Sequence, residues 1–327
     1  MSVETVNSNS TSKKSNRKRT TVKSKSRKLK VKSNKKSIVK PKNKPSYCAP
    51  SVDTQNTVSN SCFTRDALVK IADAWNNQNK DNLIKYNTRT SNNSLWEKIN
   101  NKMKSKKCNK EWCWTKQDFV KSEYNIEDDK LFDVFRPFMP KSWEKNPRQW
   151  LNTLDIRDVM RQYENKYTDF KFIGPVPIDF DTELSFGSCV VNEICKIDIT
   201  DLYNKGIYRV GIIFNLDKHN EPGSHWIALM CDLTTCNISY WDSYGFEPPN
   251  EVITLMNRLK EQCNKMGKKM KININKVRHQ YKNSECGVYS INFLVNLLEG
   301  KTFKQATEKI VDDDKMFAKR SFYFIKG

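Results

Sequence analysis

Four side chains in the second half of this 327-residue chain carry groups that together could break an acyl bond: His225 in Gly-Ser-His-Trp, Asp242 in Tyr-Trp-Asp-Ser-Tyr-Gly, Gln280, and Cys286 in Glu-Cys-Gly. A thiol becomes an effective nucleophile near neutral pH when an imidazole beside it takes its proton. The imidazole needs a group that fixes its ring and tautomer, and a carboxylate at the end of a neighbouring strand can supply it. A side-chain amide near the nucleophile can donate to the oxyanion formed when a carbonyl is attacked. Singly, each residue has a plainer reading. A lone Cys is a small buried hydrophobe, an Asp after a strand is a turn residue, and a His before Trp is a packing or hydrogen-bonding group. The combination and its order point to nucleophilic acyl transfer.

These four groups must be brought together by elements that the apolar pattern suggests. Tyr208–Phe214, His225–Cys231 and Asn237–Trp241 read as short strands, with Thr234-Thr235 as a hairpin-like link between the last two. Adjacent antiparallel strands would bring His225, at the start of one, to Asp242, at the end of the next, across seventeen positions of sequence. Cys286–Glu299 is a strongly apolar helix, with Val288, Ile291, Leu294, Val295 and Leu298, and Gly300 stands where a helix stop is expected. Cys286 opens this helix, so its sulfur would face free backbone N–H groups and the positive end of the dipole, both of which favour thiolate. Its own amide would point at a developing oxyanion. Gln280, six positions earlier in a polar connection, is close enough to lean over the same site.

Other stretches complete an α+β chain with a short mixed or mostly antiparallel sheet. Pro147 opens a helix bearing Trp150, Leu151, Leu154, Ile156, Val159, Met160 and Tyr163; Glu251–Lys265 shows a helical apolar face; Lys271–Val277 alternates as an edge strand does. Ahead of these, Leu68, Ile71, Ala72 and Trp75 follow Thr64 and Asp66 at helical spacing. Ser94 reads as the cap of a second helix with Leu95, Ile99 and Met103. Glu111–Val120 holds Trp112, Trp114 and Phe119, a cluster that reads as core. The expected organisation is a tail over residues 1–60, a helical extension over 61–145 and a catalytic domain over 146–327.

The net charge of +21 is unevenly spread: residues 1–45 hold sixteen Lys or Arg against Glu4, a net of +15, leaving +6 for the remainder. A Lys/Ser/Asn/Thr-rich segment with few large apolar residues cannot offset its ordering entropy, so residues 1–60 read as disordered. Such a tail either solubilises the chain or binds nucleic acid non-specifically through phosphates, and it has no interleaved aromatics for base stacking. No signal peptide and no membrane-length apolar run is visible, so neither secretion by that route nor a membrane partner is expected. Reduced thiols are then the default for the ten cysteines, although Cys231 and Cys236 flank the hairpin and could approach one another. Cys108/Cys113 and Cys189/Cys195 are not Cys-x-x-Cys knuckles. With only three His in the chain, a zinc site is not expected, and acyl transfer by a thiol requires no metal or organic cofactor. His219 and His279 are given no catalytic role.

The series His225-Trp226, Asp242, Gln280, Cys286-Gly287 resembles the Ulp1-like cysteine proteases, which include the desumoylating enzymes and, more distantly, the adenovirus-type maturation proteases. The resemblance spans roughly residues 147–300. It implies a papain-like cysteine protease domain with Cys286 as nucleophile, His225 as general base and acid, Asp242 as orienting group and Gln280 as oxyanion donor. It also implies that Trp226 and the Trp150-Leu151 segment flank a narrow tunnel for a substrate ending its P side in Gly-Gly. Glu111-Trp-Cys-Trp114, Phe135-Arg-Pro137 and Trp150-Leu-Asn-Thr-Leu-Asp155 resemble the flanks of the large-DNA-virus branch. That branch implies cleavage of virion precursor proteins at Gly-Gly-X sites, in the virion or the infected-cell cytoplasm. Two alternatives stay open: a deconjugase of SUMO- or ubiquitin-like modifiers, and a basic nucleic-acid-binding virion protein with a vestigial protease fold.

Overall fold

The computed structural model describes residues 45–52, 61–123, 131 and 133–327. Most of the basic tail, residues 1–44 and 53–60, lies outside the described residues. Residues 45–52, assigned to the tail by composition, instead pack against the helical region: Cys48 and Ala49 are fully buried, and Cys48 is disulfide-bonded to Cys62. Apolar contact and the cross-link offset an ordering cost that the surrounding lysines hide in a composition average.

The N-terminal region holds α1 (Arg65–Gln78), α2 (Asn92–Ser105) and two short helices, α3 (Glu111–Trp114) and α4 (Asp118–Glu123). Thr64 caps α1, its hydroxyl accepting from the Ala67 N–H. The cap of α2 is Ser91 rather than Ser94, which lies inside the helix and donates its N–H to the Ser91 hydroxyl. Trp75, Trp114, Phe63 and Phe135 centre the core of this region, so the tryptophan cluster is structural. The chain end returns to it. Ile325 donates to Pro137 O and accepts from Met139 N, both at 2.8 Å, and its side chain joins the same core.

The next helix is α5 (Thr153–Lys166), six residues later than the Pro147 start expected from sequence. The cause is local: the Asn152 side chain accepts from the Asp155 N–H and the Asp155 carboxylate accepts from the Asn152 N–H, a reciprocal cap that starts the helix there. Trp150 and Leu151 therefore lie on an irregular strap ahead of the helix. Then follow β1 (Phe170–Pro177), α6 (Asn192–Cys195), α7 (Ile199–Asn204), β2 (Arg209–Asn215), β3 (Trp226–Asp232), β4 (Asn237–Trp241), α8 (Asn250–Lys265), β5 (Lys271–Ile274) and α9 (Cys286–Leu298). Three short helices, α10 (Phe303–Thr307), α11 (Asp313–Ala318) and α12 (Arg320–Tyr323), end the chain.

The five strands form one mixed sheet in the order β1-β2-β3-β4-β5. β1 runs parallel to β2, β2–β3–β4 are antiparallel, and β5 runs parallel to β4 at the edge. Both faces are covered, which explains the continuous apolar runs of the inner strands. On β3, Trp226, Ala228 and Met230 face a core shared with α5, α9 and the C-terminal helices. Ile227, Leu229 and Cys231 face a second core with α8. Helix α9, apolar around almost its whole circumference, is buried between the sheet and its neighbours. No helix among the described residues is long and apolar enough to cross a membrane.

The reduced-thiol expectation is corrected at three pairs. Cys48–Cys62, Cys108–Cys113 and Cys189–Cys195 are disulfide-bonded, with Cα–Cα separations of 5.3, 5.5 and 6.3 Å. Each pair is brought within bridging reach by a packed turn or by the contact of residues 45–52 with the helices. Cys231, Cys236, Cys263 and Cys286 are free thiols. Cys231 hydrogen-bonds Cys263 across the β3–α8 interface rather than pairing with Cys236, because it points into the core while Cys236 sits in the turn.

Candidate active site

Strand register brings the imidazole and the carboxylate together. β3 begins at Trp226 and β4 ends at Trp241, and the antiparallel pairing Ala228↔Trp241 sets the first end of β3 beside the last end of β4. His225 and Asp242 are the residues just beyond those ends. His225 Nε2–H donates to Asp242 Oδ1 at 2.7 Å, and both side chains are buried, 8% and 1% exposed. The same carboxylate oxygen accepts from the Tyr244 N–H at 2.9 Å, and Asn275 Nδ2 holds the Asp242 carbonyl at 2.7 Å.

With Nε2 committed to Asp242, Nδ1 is the nitrogen left for the thiol, and His225 is hydrogen-bonded to Cys286. Cys286 is the first residue of α9, placed by packing of the helix on β3. Ser290 Oγ donates to Trp226 O at 3.1 Å, and Gly287 sits where a Cβ would meet Leu151 Cβ at 3.2 Å and Trp226 Cδ1 at 3.3 Å. The glycine after the cysteine thus lets the helix start lie close under the indole. No side chain caps the α9 N-terminus, so the thiol shares its end of the helix with backbone N–H groups and no competing acceptor at the cap.

Burial by itself would lower the proton affinity of His225. The hydrogen bonds to Asp242 and Cys286 and their negative charges outweigh it, and the imidazole is pushed up to about 9. A protonated His225 beside a thiolate is the ion pair that thiol chemistry uses. Activity should therefore fall as pH rises through about 9 and the imidazolium is lost, a one-proton limb readable in kcat/KM. The sign for stability is the same. The pKa is raised on folding, so the contribution is fully present below the ordinary value of 6.5 and is lost as pH rises through about 9.

Gln280 is fully buried and its amide orientation is defined: Ser243 Oγ donates to its Oε1 at 2.7 Å, while its Nε2 donates to Lys282 O at 2.6 Å and Tyr244 OH at 3.3 Å. Its backbone N–H is held by Ser243 O, so the Gln280 loop is pinned to the turn after Asp242. Trp226, 6% exposed, donates its indole N–H to Leu151 O at 3.0 Å. Trp150 is 40% exposed on the rim of a cleft of about 440 Å³, which Leu151, Pro175, Lys218, His219 and Trp226 also line. His279 is no part of the reacting set. It is buried against Trp241, donates through Nε2 to Thr307 O, accepts at Nδ1 from Val311 N–H, and is held neutral by burial. His219, half exposed, pairs with Asp179 at 2.6 Å.

Sequence reasoning missed the groups that brace the cysteine. Glu285, fully buried just ahead of Cys286, receives Arg320 Nε at 2.8 Å and Ser284 Oγ at 3.0 Å. The Asp313 carboxylate accepts from the Tyr281 and Lys282 N–H groups at 2.9 and 3.1 Å. The only hint was the Glu of Glu-Cys-Gly, since its partners come from the distant chain end. Glu285→Ala would leave the guanidinium of Arg320, itself 2% exposed, buried without its partner. A loss of about 3–5 kcal/mol in urea unfolding is expected; a loss below about 1 kcal/mol would show that the pair is not a bracing contact.

Comparison with known proteins bears on this arrangement. Residues 210–324 match the C-terminal catalytic domain of the Ulp1 protease family. A protein of Acanthamoeba polyphaga mimivirus named as a thiol protease is 30% identical over 292 residues, 85% of this chain and 92% of that protein. The cysteine protease of African swine fever virus is 26% identical over 189 residues, 55% of this chain and 69% of that one. The crystal structure of the African swine fever virus protease in selenomethionine form superposes with a TM-score of 0.60 at 21% identity, over 86% of this chain and 97% of that one, so the fold extends through the N-terminal helices. An imidazole–carboxylate pair beside a helix-opening thiol, on that fold and along nearly the whole length of a viral thiol protease, places the chain in the Ulp1 family of cysteine proteases, in its large-DNA-virus branch.

Proposed function

We propose that the protein is a thiol endopeptidase that cleaves virion precursor proteins after Gly-Gly-type sites during particle maturation. The observation that carries the reading is the joint placement of Cys286, His225 and Asp242 at one end of the sheet, with the His225–Asp242 bond at 2.7 Å. Cys286 attacks the scissile carbonyl, the Cys286 N–H and the Gln280 Nε2–H that exchanges its long 3.3 Å contact with Tyr244 OH for the new charge stabilise the oxyanion, and His225 protonates the leaving amine. Water, deprotonated by His225, then hydrolyses the thioester. Asp242 keeps Nε2 protonated and Nδ1 facing sulfur.

Small P-side residues are supported by the indoles of Trp150 and Trp226, which line the same cleft, with Trp226 fixed by its bond to Leu151 O at 3.0 Å. Trp150, exposed on the adjoining cleft, is available to the substrate chain. The viral origin of the relatives supports precursors as the substrate and the virion or infected-cell cytoplasm as the place of action. The tail, with its net charge of +15, suits a protein packaged near nucleic acid.

A deconjugase reading is favoured by one observation: a matching African swine fever virus protein is named a SUMO-1 cysteine protease. Cleavage of a Gly-Gly-X peptide, a viral structural precursor and a modifier fusion, each beside the Cys286→Ala variant in reducing buffer, separates the readings. Efficient cleavage of peptide and precursor supports maturation; strong preference for the modifier fusion replaces it with deconjugation. Silence of all three, with salt-dependent DNA binding lost on deleting residues 1–45, would leave a vestigial protease fold on a nucleic-acid-binding protein.

A further inference from the structure

The turn after β4 does more than present Asp242. Each of its next two residues reaches the other half of the site. Ser243 donates its hydroxyl to Gln280 Oε1 at 2.7 Å and accepts the Gln280 and His279 backbone N–H groups at its carbonyl. Tyr244 touches three of the four groups assigned to the chemistry. Its backbone N–H bonds Asp242 Oδ1 at 2.9 Å. Its ring lies over the His225 imidazole, with centroids 4.8 Å apart and planes inclined by 31°. Its hydroxyl accepts from Gln280 Nε2 at 3.3 Å and faces Lys282 O at 3.4 Å, the carbonyl to which Gln280 also donates. The turn is held in place by Gly245, whose φ of +78° and close approach to Val277 and Arg278 (a Cβ would come within 3.0 and 3.1 Å) suit glycine. Arg278 lies over the Tyr244 ring, 5.4 Å from its centroid.

From this geometry we infer that Tyr244 is a positioning residue that ties the general base to the oxyanion donor, its ring seating His225 and its hydroxyl holding the Gln280 amide. The inference rests on the protease reading above. The two contacts are chemically separable. The ring presents its π face to an imidazole that carries charge in the active ion pair, which favours the charged form. The hydroxyl fixes a neutral amide that has no part in making the thiolate. Burial, and then the charge on Cys286, push the phenol up, so it keeps its proton in the working range. Without the hydroxyl, the amide keeps the Ser243 bond to Oε1 and its own bond to Lys282 O, but the second Nε2–H loses the contact that holds it ready for the oxyanion.

The test uses the full chain and two readouts: cleavage of a Gly-Gly-X reporter, and the pH profile of Cys286 alkylation by iodoacetamide, which reports the thiolate–imidazolium pair without substrate. Tyr244→Phe keeps the ring and is expected to lower kcat about tenfold with KM within about twofold, the size of one lost hydrogen bond, and to leave the alkylation profile in place. Tyr244→Leu removes both contacts. It is expected to lower kcat further and to move the acid limb of alkylation up by about half a pH unit or more. Wild-type kcat in Tyr244→Phe would overturn the hydroxyl's role, and an unmoved profile in Tyr244→Leu would overturn the ring's. Equal losses in both variants that track a fall in melting temperature would reduce Tyr244 to a structural turn residue. His225→Ala is the control for the reading beneath: alkylation unaffected by that change would overturn the protease assignment and this inference with it, whereas a His225-dependent profile blind to Tyr244 overturns the inference alone.

Discussion

Cys286→Ala is expected to lower kcat/KM by on the order of 10⁴-fold or more while the protein stays folded. The reasoning is chemical. Of the free cysteines, Cys231 and Cys263 bond each other inside the second core and Cys236 sits in the β3–β4 turn, so none can substitute at the end of the sheet where His225 lies. The truncation removes only a sulfur from a small site, so melting temperature should move by a few degrees at most. His225→Ala should cost a similar factor, because a thiol without its base loses the ion pair that makes it nucleophilic. Residues that act as a unit are non-additive, and the double variant should be no slower than either single one. The measurement is kcat/KM on a Gly-Gly-X reporter with near-UV circular dichroism alongside. Residual activity of Cys286→Ala within tenfold of wild type would remove the thiol mechanism. A double variant much slower than both singles would show that Cys286 and His225 act independently.

Much of this architecture was legible from residue order because the four groups stand at element boundaries. His225 precedes a strand, Asp242 follows one, and Cys286 opens the most apolar helix, so a coarse strand–hairpin–strand–helix reading was enough to bring them near one another. The β3–β4 register then did the rest, since antiparallel pairing leaves only one end where both residues can sit. What escaped the sequence was what depends on distant partners or on local punctuation. β1 carries Gly174-Pro175, which reads as a break, yet it runs parallel to β2 with an irregularity between Ile173 and Val176 that absorbs the dipeptide. The start of α5 depended on a reciprocal cap at Asn152 and Asp155, and Pro147 is a plausible helix opener that lost to it. The roles of Glu285, Asp313 and Arg320 rest on contacts up to 35 residues apart in sequence, and no periodicity records them. Ser243 and Tyr244 carry no signal in the sequence, because their partner, Gln280, arrives only after α8 and β5 have been laid down.

The second large effect is expected at Asp242, where two substitutions separate geometry from charge. Asp242 Oδ1 accepts from both His225 Nε2–H and the Tyr244 N–H, in a site where the carboxylate is 1% exposed. Asp242→Ala removes the acceptor outright. The imidazole loses the contact that fixes its tautomer and orientation, its Nε2–H is left buried without a partner, and a fall of about 10³–10⁴-fold in kcat is expected. Asp242→Asn keeps an amide oxygen within reach of Nε2–H but removes the charge, so the loss should be smaller by about tenfold or more. It should appear chiefly as a pH effect. His225 is pushed up to about 9 partly by Asp242, and without that carboxylate its proton is released at lower pH. The alkaline limb of kcat/KM should accordingly move down in Asp242→Asn while the plateau below it persists. A comparison of full pH profiles decides the matter. An alkaline limb that stays near pH 9 in the Asn variant would mean that the charge of Asp242 does not set the proton affinity of His225, leaving the thiolate at Cys286 as its main support. Equal losses in Ala and Asn at every pH would mean instead that the charge, rather than the hydrogen bond that orients the ring, carries the whole contribution of Asp242.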